Sequence, residues 1–109
     1  MHYHAPSDHT FSKQLRTGAP EAFKAFIDFD QMAFAEGENR LAVKTRELIA
    51  IGVAATTQCP YCMEAHVAGA KKVGPTQVEV SQAIMVASAL RAGAAFTHGW
   101  MAMKFFDKD

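Results

Sequence analysis

Little in this chain advertises a partner or a compartment. Lys plus Arg and Asp plus Glu number 11 each, and neither sign gathers into a block. That excludes the electrostatic footprint of a nucleic-acid or anionic-membrane binder. The longest apolar stretch, Leu48 to Ala55, is broken by Gly52. It falls far short of the roughly 20 residues of a membrane span. Met1-His2-Tyr3-His4-Ala5-Pro6 offers neither a charged n-region nor an apolar h-region, so no export signal is read and a cytoplasmic location is expected. No segment sustains period-two alternation, and no Asn-Gly or Asp-Gly pair separates apolar runs, which removes the usual signals for strands and hairpins. Internal repeats and low-complexity tracts are missing too. Cysteine is scarce, at two in 109 residues, too few for a disulfide scaffold.

What is present is helical patterning. Pro20 suits a first helical position, and Phe23, Phe26, Ile27 and Phe34 recur at spacings of three, four and seven before Gly37, which predicts a helix over 20–36. A second, over 42–57, starts charged and becomes almost wholly apolar from Leu48, so burial nearly all round is expected. A third runs over 60–73 and stops at Gly74. Thr76 and Glu79 match a capping box that opens a fourth through about Ala92. Gly93 interrupts the pattern, and a fifth helix over 94–106 carries Phe96, Trp100, Met103 and Phe106. Residues 1–19 are mixed and polar, and are expected to form an arm with one helical turn near Phe11 to Leu15. The expectation is one all-α domain over 20–109, a compact bundle of about five to six helices. So apolar a short chain is also expected to bury surface against copies of itself.

The two cysteines stand three apart, in Cys59-Pro60-Tyr61-Cys62. Closing so short a loop removes little unfolded-state entropy, so a redox role explains the pair better than stapling does. At about 100° per residue, Cys62 and His66 project within roughly 40° of each other, and Cys59 within roughly 20° of His66. Met63, Ala70 and Val73 share that face, so these groups are expected to point toward the interior or a narrow cleft. The cysteines open the helix, where free N–H groups and the helix dipole favour an anion and lower a thiol pKa. Glu47 lies on the preceding helix, which a short connection returns antiparallel. Its neighbours Val43 and Ile51 are apolar, and from spacing alone its carboxylate is either turned inward or a solvated first-turn charge. His98, Tyr61 and Trp100 read as packing residues along the wall of the site.

Together these residues resemble a known family. Lys44-Thr45-Arg46-Glu47-Leu48-Ile49 followed by Cys59-Pro60-Tyr61-Cys62-Met63-Glu64-Ala65-His66 is similar to the signature of the AhpD-like alkylhydroperoxidase branch of the carboxymuconolactone decarboxylase superfamily. That signature is a glutamate, eleven intervening residues, then C-x-x-C-x-x-x-H, and the similarity covers roughly residues 20–106. The resemblance implies an all-helical fold assembled as trimers or hexamers and a hydroperoxide-reducing cycle without metal, haem or flavin. It implies Cys62 as the peroxidatic thiol, Cys59 as the resolving thiol, and Glu47 with His66 as a proton relay. It also implies an external dithiol reductant, lipoyl-bearing or thioredoxin-like. Family members often carry a further histidine between the cysteines, where this chain has Tyr61. Helix-terminus electrostatics favour Cys59 as the more acidic thiol, whereas the resemblance assigns the attack to Cys62.

Other readings stay open at this point. A general thiol-disulfide oxidoreductase uses the same pair. Glu47, Cys59, Cys62 and His66 formally supply four ligands to zinc, although a carboxylate would replace the more usual third cysteine or second histidine. A redox-inactive oligomeric module would need neither thiol. A lactone decarboxylase does not call for two cysteines.

Overall fold

Local signals set most helix boundaries. The computed structural model describes residues 4–108, and all its regular elements are helical: a 3-10 segment Pro6–Phe11, then α1 (Ser12–Gly18), α2 (Pro20–Ala33), α3 (Val43–Thr57), α4 (Pro60–Val73) and α5 (Gln77–Phe106). The all-α expectation holds, with no strand among the described residues. The expectations for Met1 to Tyr3, His2 included, lie outside the described residues. Pro20 and Pro60 each start a helix, where a missing N–H costs nothing. The predicted capping box is formed: the Thr76 hydroxyl accepts from the Glu79 N–H at 3.1 Å while Glu79 Oε1 accepts from the Thr76 N–H at 3.0 Å. Gly74 ends α4 at φ 102°, a left-handed conformation that glycine adopts without a Cβ clash. Residues 6–18 hold more helix than the single expected turn, and α1 packs on α2.

α3 is the organising element, packing on α4 along one side and on α5 along another. Only two residues, Gln58 and Cys59, separate α3 from α4, so the pair forms an antiparallel hairpin. α5 runs in the same direction as α3. The Lys44 ammonium meets a Glu79 carboxylate oxygen at 2.7 Å near the start of both helices. Further along, a Cβ on Gly52 would lie 3.5 Å from that of Ala87 and 3.6 Å from the Ala83 carbonyl. Small residues thus let the two backbones close up. Ile51, Ala54 and Ala70 form the buried seam, with Gly52 buried beside them.

Two helical expectations are revised. Residues 42–57 were expected to be buried nearly all round, but Ile49 and Val53 are 51% and 54% exposed, because the helices that pack on α3 among the described residues, α4 and α5, leave that face uncovered. The expected break at Gly93 is not formed, and α5 is one helix of 30 residues. A single glycine costs only about 1 kcal/mol in a helix interior, and the surrounding Ala92, Ala94 and Ala95 are the strongest helix formers. At 1.5 Å per residue α5 is about 45 Å long, twice the length of α3. Its last turns therefore run past the end of α3, and Phe96, Trp100, Met103 and Phe106 are 74%, 65%, 67% and 89% exposed. The radius of gyration, 18.2 Å, reflects this projection; about 13 Å is typical of a compact chain of this size.

An alanine at Gly93 meets no atom within 4 Å. Gly93→Ala is expected to stabilise the fold by about 1 kcal/mol, read as a higher denaturant midpoint at unchanged slope.

Candidate active site

The turn between α3 and α4 builds the sulfur site. Gln58 closes α3 in a left-handed conformation at φ 57°, which redirects the chain within one residue. Cys59, extended at φ −98° and ψ 101°, caps α4. Its Sγ accepts from the Cys62 N–H at 3.2 Å, so sulfur occupies the anion-favouring position that serine or aspartate fills in other helices. Cys59 and Cys62 are joined as a disulfide with their Cα atoms 5.3 Å apart. Cys59 is half-buried and Cys62 is exposed. The expected inward orientation of this face is therefore corrected for Cys62: α5 packs on α3, and the first turn of α4, at the turn end of the hairpin, leaves Cys62 uncovered.

Glu47 and His66 meet across the α3–α4 seam. The His66 Nδ1 lies 2.7 Å from a Glu47 carboxylate oxygen, with the side chains 27% and 12% exposed. A carboxylate only accepts, so Nδ1 carries the hydrogen, and in the neutral ring Nε2 is the nitrogen with the lone pair. The choice left open by spacing is decided, since the Glu47 carboxylate turns inward against α4. It rests on the backbone at Gly69, where a Cβ would come within 3.2 Å of the carboxylate carbon and both oxygens. Phe34, which caps α2, stacks on the His66 ring at 5.2 Å between centroids and 15° between planes. The next residue, Ala35, offers its carbonyl to the buried Arg46 guanidinium, which ties the end of α2 to α3 beside Glu47.

Tyr61, between the cysteines, is held by the N-terminal segment. Its hydroxyl donates to Asp8 Oδ2 at 2.8 Å, and the same oxygen accepts from the Ala5 N–H at 2.9 Å. The His4 ring lies edge-on to Tyr61 at 4.4 Å and reaches Glu64 at 3.1 Å. His98 and Trp100, expected along the wall of the site, are exposed on the projecting part of α5.

The sequence reading brought Glu47, Cys59, Cys62 and His66 forward and missed Phe34, Gly69 and Asp8 as their neighbours. Gly69 had a signal, since an isolated glycine inside a helical pattern marks a close approach. Phe34 was read as part of an apolar stripe, and nothing near Asp8 distinguished it. Among the described residues, no three His, Cys, Asp or Glu side chains gather as a metal-binding group. The arrangement places a disulfide one helical turn from an imidazole whose Nδ1 is held by a largely desolvated carboxylate.

Comparison with known proteins agrees with this layout. The model of the carboxymuconolactone decarboxylase family matches residues 20–105. A Paracoccus denitrificans protein described as uncharacterized protein 4 in the cox locus is 43% identical over 84 residues, covering 77% of this chain and 74% of its own length. An uncharacterized Haemophilus influenzae protein is 49% identical over 74 residues, covering 68% of this chain and 65% of its own. A crystal structure of a Methanobacterium thermoautotrophicum protein superposes with a TM-score of 0.71 at 26% identity, over 81% of this chain and 97% of that one.

The Ala5 N–H, then the Tyr61 hydroxyl, and more weakly His4, hold the Asp8 carboxyl below its ordinary value of 3.8. The contact therefore contributes its full stability above that value and loses it as pH falls through the lower, folded-state value. In an NMR titration the Ala5 amide shift should report a midpoint below 3.8. Tyr61→Phe, which deletes one donor, should move that midpoint upward.

Proposed function

Because the chain belongs to the carboxymuconolactone decarboxylase family, we propose that it is a thiol-dependent peroxidase of the AhpD-like kind. It reduces hydroperoxides through Cys59 and Cys62, with Glu47 and His66 relaying protons. The observation that carries this reading is the closed Cys59–Cys62 pair one helical turn from an imidazole hydrogen-bonded at 2.7 Å to Glu47.

In the reduced state the Cys62 proton passes to His66 Nε2, directly or through water, and the Glu47 carboxylate stabilises the imidazolium. The Cys62 thiolate attacks the distal oxygen of the hydroperoxide. An S–O bond forms, the O–O bond breaks, and the alkoxide leaves as alcohol with the proton from His66. Cys62 is then a sulfenic acid. Cys59 attacks that sulfur, water leaves, and the disulfide closes. An external dithiol, on a lipoyl-bearing or thioredoxin-like protein, supplies the two electrons that reopen it. Helix capping stabilises a Cys59 thiolate, but Cys62 is the exposed sulfur and lies one turn from His66. The assignment of the attack to Cys62 follows. The exposure of Cys62 also favours a second reading, general thiol-disulfide exchange with protein or small-molecule disulfides.

The apolar surface supports a homo-oligomer, which the family resemblance makes a trimer or hexamer. Ile49 and Val53 on α3 flank a groove shared with Val86 and Leu90 of α5, and the projecting end of α5 carries Phe96 and Trp100 in the open. Large apolar side chains exposed together in this way support a protein–protein contact.

Stoichiometric cumene hydroperoxide added to reduced protein should yield one alcohol and one Cys59–Cys62 disulfide by mass. With Cys59→Ser, a dimedone-type probe should trap Cys62, whereas a trapped adduct confined to Cys59 reverses the roles. His66→Ala or Glu47→Gln should slow the peroxide step by roughly 10²- to 10⁴-fold. Faster turnover of a model disulfide than of any hydroperoxide would favour the second reading. In sedimentation, Leu90→Glu with Trp100→Glu should convert the assembly to single chains.

A further inference from the structure

Two residues outside the Glu-Cys-Cys-His set bear on the Glu47–His66 pair, Gly69 on the carboxylate and Phe34 on the imidazole. We propose that Gly69 and Phe34 are positioning residues that hold this pair in the orientation in which Nε2 of His66 faces the thiol. The proposal rests on the peroxidase reading for its consequence in turnover, while its geometric content stands on the pair itself.

Gly69 lies three residues after His66 on α4, on the side facing α3. The Glu47 carboxylate occupies the space a side chain would fill: the carboxylate carbon and both oxygens all lie 3.2 Å from an ideal Cβ. That spacing is tighter than ordinary van der Waals contact, and all three atoms belong to one rigid group. A methyl group there displaces the carboxylate, and the 2.7 Å bond to Nδ1 is the contact it displaces it from. The tightness at 69 comes from Glu47 and not from the backbone, since α4 continues through it as regular helix and a Cβ there would make the carboxylate give by a few tenths of an ångström.

Phe34 acts on the other partner. One hydrogen bond at Nδ1 leaves the imidazole free to swing about that axis. A phenyl ring stacked at 5.2 Å and 15° fixes the ring plane and covers one of its faces from water. Phe34 is itself fixed, because Arg46, adjacent to Glu47 on α3, donates to the carbonyl of Ala35. The same helix segment therefore supplies the carboxylate and anchors the aromatic ring that steadies its partner. A displaced carboxylate or a tilted imidazole weakens the thiolate–imidazolium arrangement and returns the thiol toward its ordinary acidity.

The test uses Cys59→Ser protein, so that one thiol is read, and measures the pH dependence of iodoacetamide alkylation alongside the rate of sulfenic acid formation with cumene hydroperoxide. Gly69→Ala and Phe34→Leu should each raise the apparent thiol pKa by roughly one unit. Each should also slow the peroxide step by about tenfold or more, the scale of loss that slight misplacement of a reacting group brings. Phe34→Tyr, which keeps the stacking ring, should restore both. Alanine is a better helix former than glycine, which offsets strain at this site, so the far-UV circular dichroism of Gly69→Ala should match that of the parent while it reacts more slowly. A loss of folding cannot produce that combination. An unchanged thiol pKa in both variants, or an ordinary value near 8.5 in the parent, overturns the proposal. If Gly69→Ala does not fold, Phe34→Leu and its tyrosine rescue decide. If the thiol pKa shifts as expected but hydroperoxide is not reduced by the parent, the positioning stands and the peroxidase reading falls.

Discussion

A connection of two residues governs this structure. Gln58 and Cys59 are all that separate α3 from α4, and so short a link forces the helices antiparallel and in contact from their first turns. Residues equally far from the turn then face each other. Glu47, eleven positions before Gln58, arrives opposite the stretch of α4 that begins at His66. The same turn places Cys59 at the helix cap, with its sulfur on the Cys62 N–H, and therefore beside Cys62. Sulfur pair and carboxylate–imidazole pair are two consequences of one backbone constraint.

The seam that results tolerates little bulk. Ala54, Ala70, Gly52 and Gly69 provide small surfaces at the places where backbones or polar groups approach most closely. Among the described residues, Ile51 alone supplies a large, fully buried side chain. Such a core is thin for a chain of this length, and the large apolar side chains that would thicken it stand outside on α2, the outer face of α3 and the far end of α5. Their exposure and the length of α5 have the same origin, because a 30-residue helix has only a 15-residue neighbour to lie along.

The N-terminal segment meets the same site from outside. Asp8 binds the hydroxyl of Tyr61, the aromatic residue between the cysteines. That residue serves as a handle for the segment and ties it to the first turn of α4.

Periodicity, prolines and the Thr76–Glu79 box were enough to read the all-α fold and most helix ends, because those signals act over one or two turns and need no partner. The spacing of Glu47, Cys59, Cys62 and His66 was likewise legible, since helical geometry converts it into shared faces. Tertiary structure alone decided the direction of the Glu47 carboxylate, because spacing leaves inward and solvated orientations equal until Gly69 vacates the space for one of them. It also decided that Phe34 stacks on His66, that Asp8 holds Tyr61, and that Gly93 does not break α5. Each depends on groups distant in the chain or on a small local cost outweighed by its neighbours. A helical period records which residues share a face, and only packing determines what that face meets.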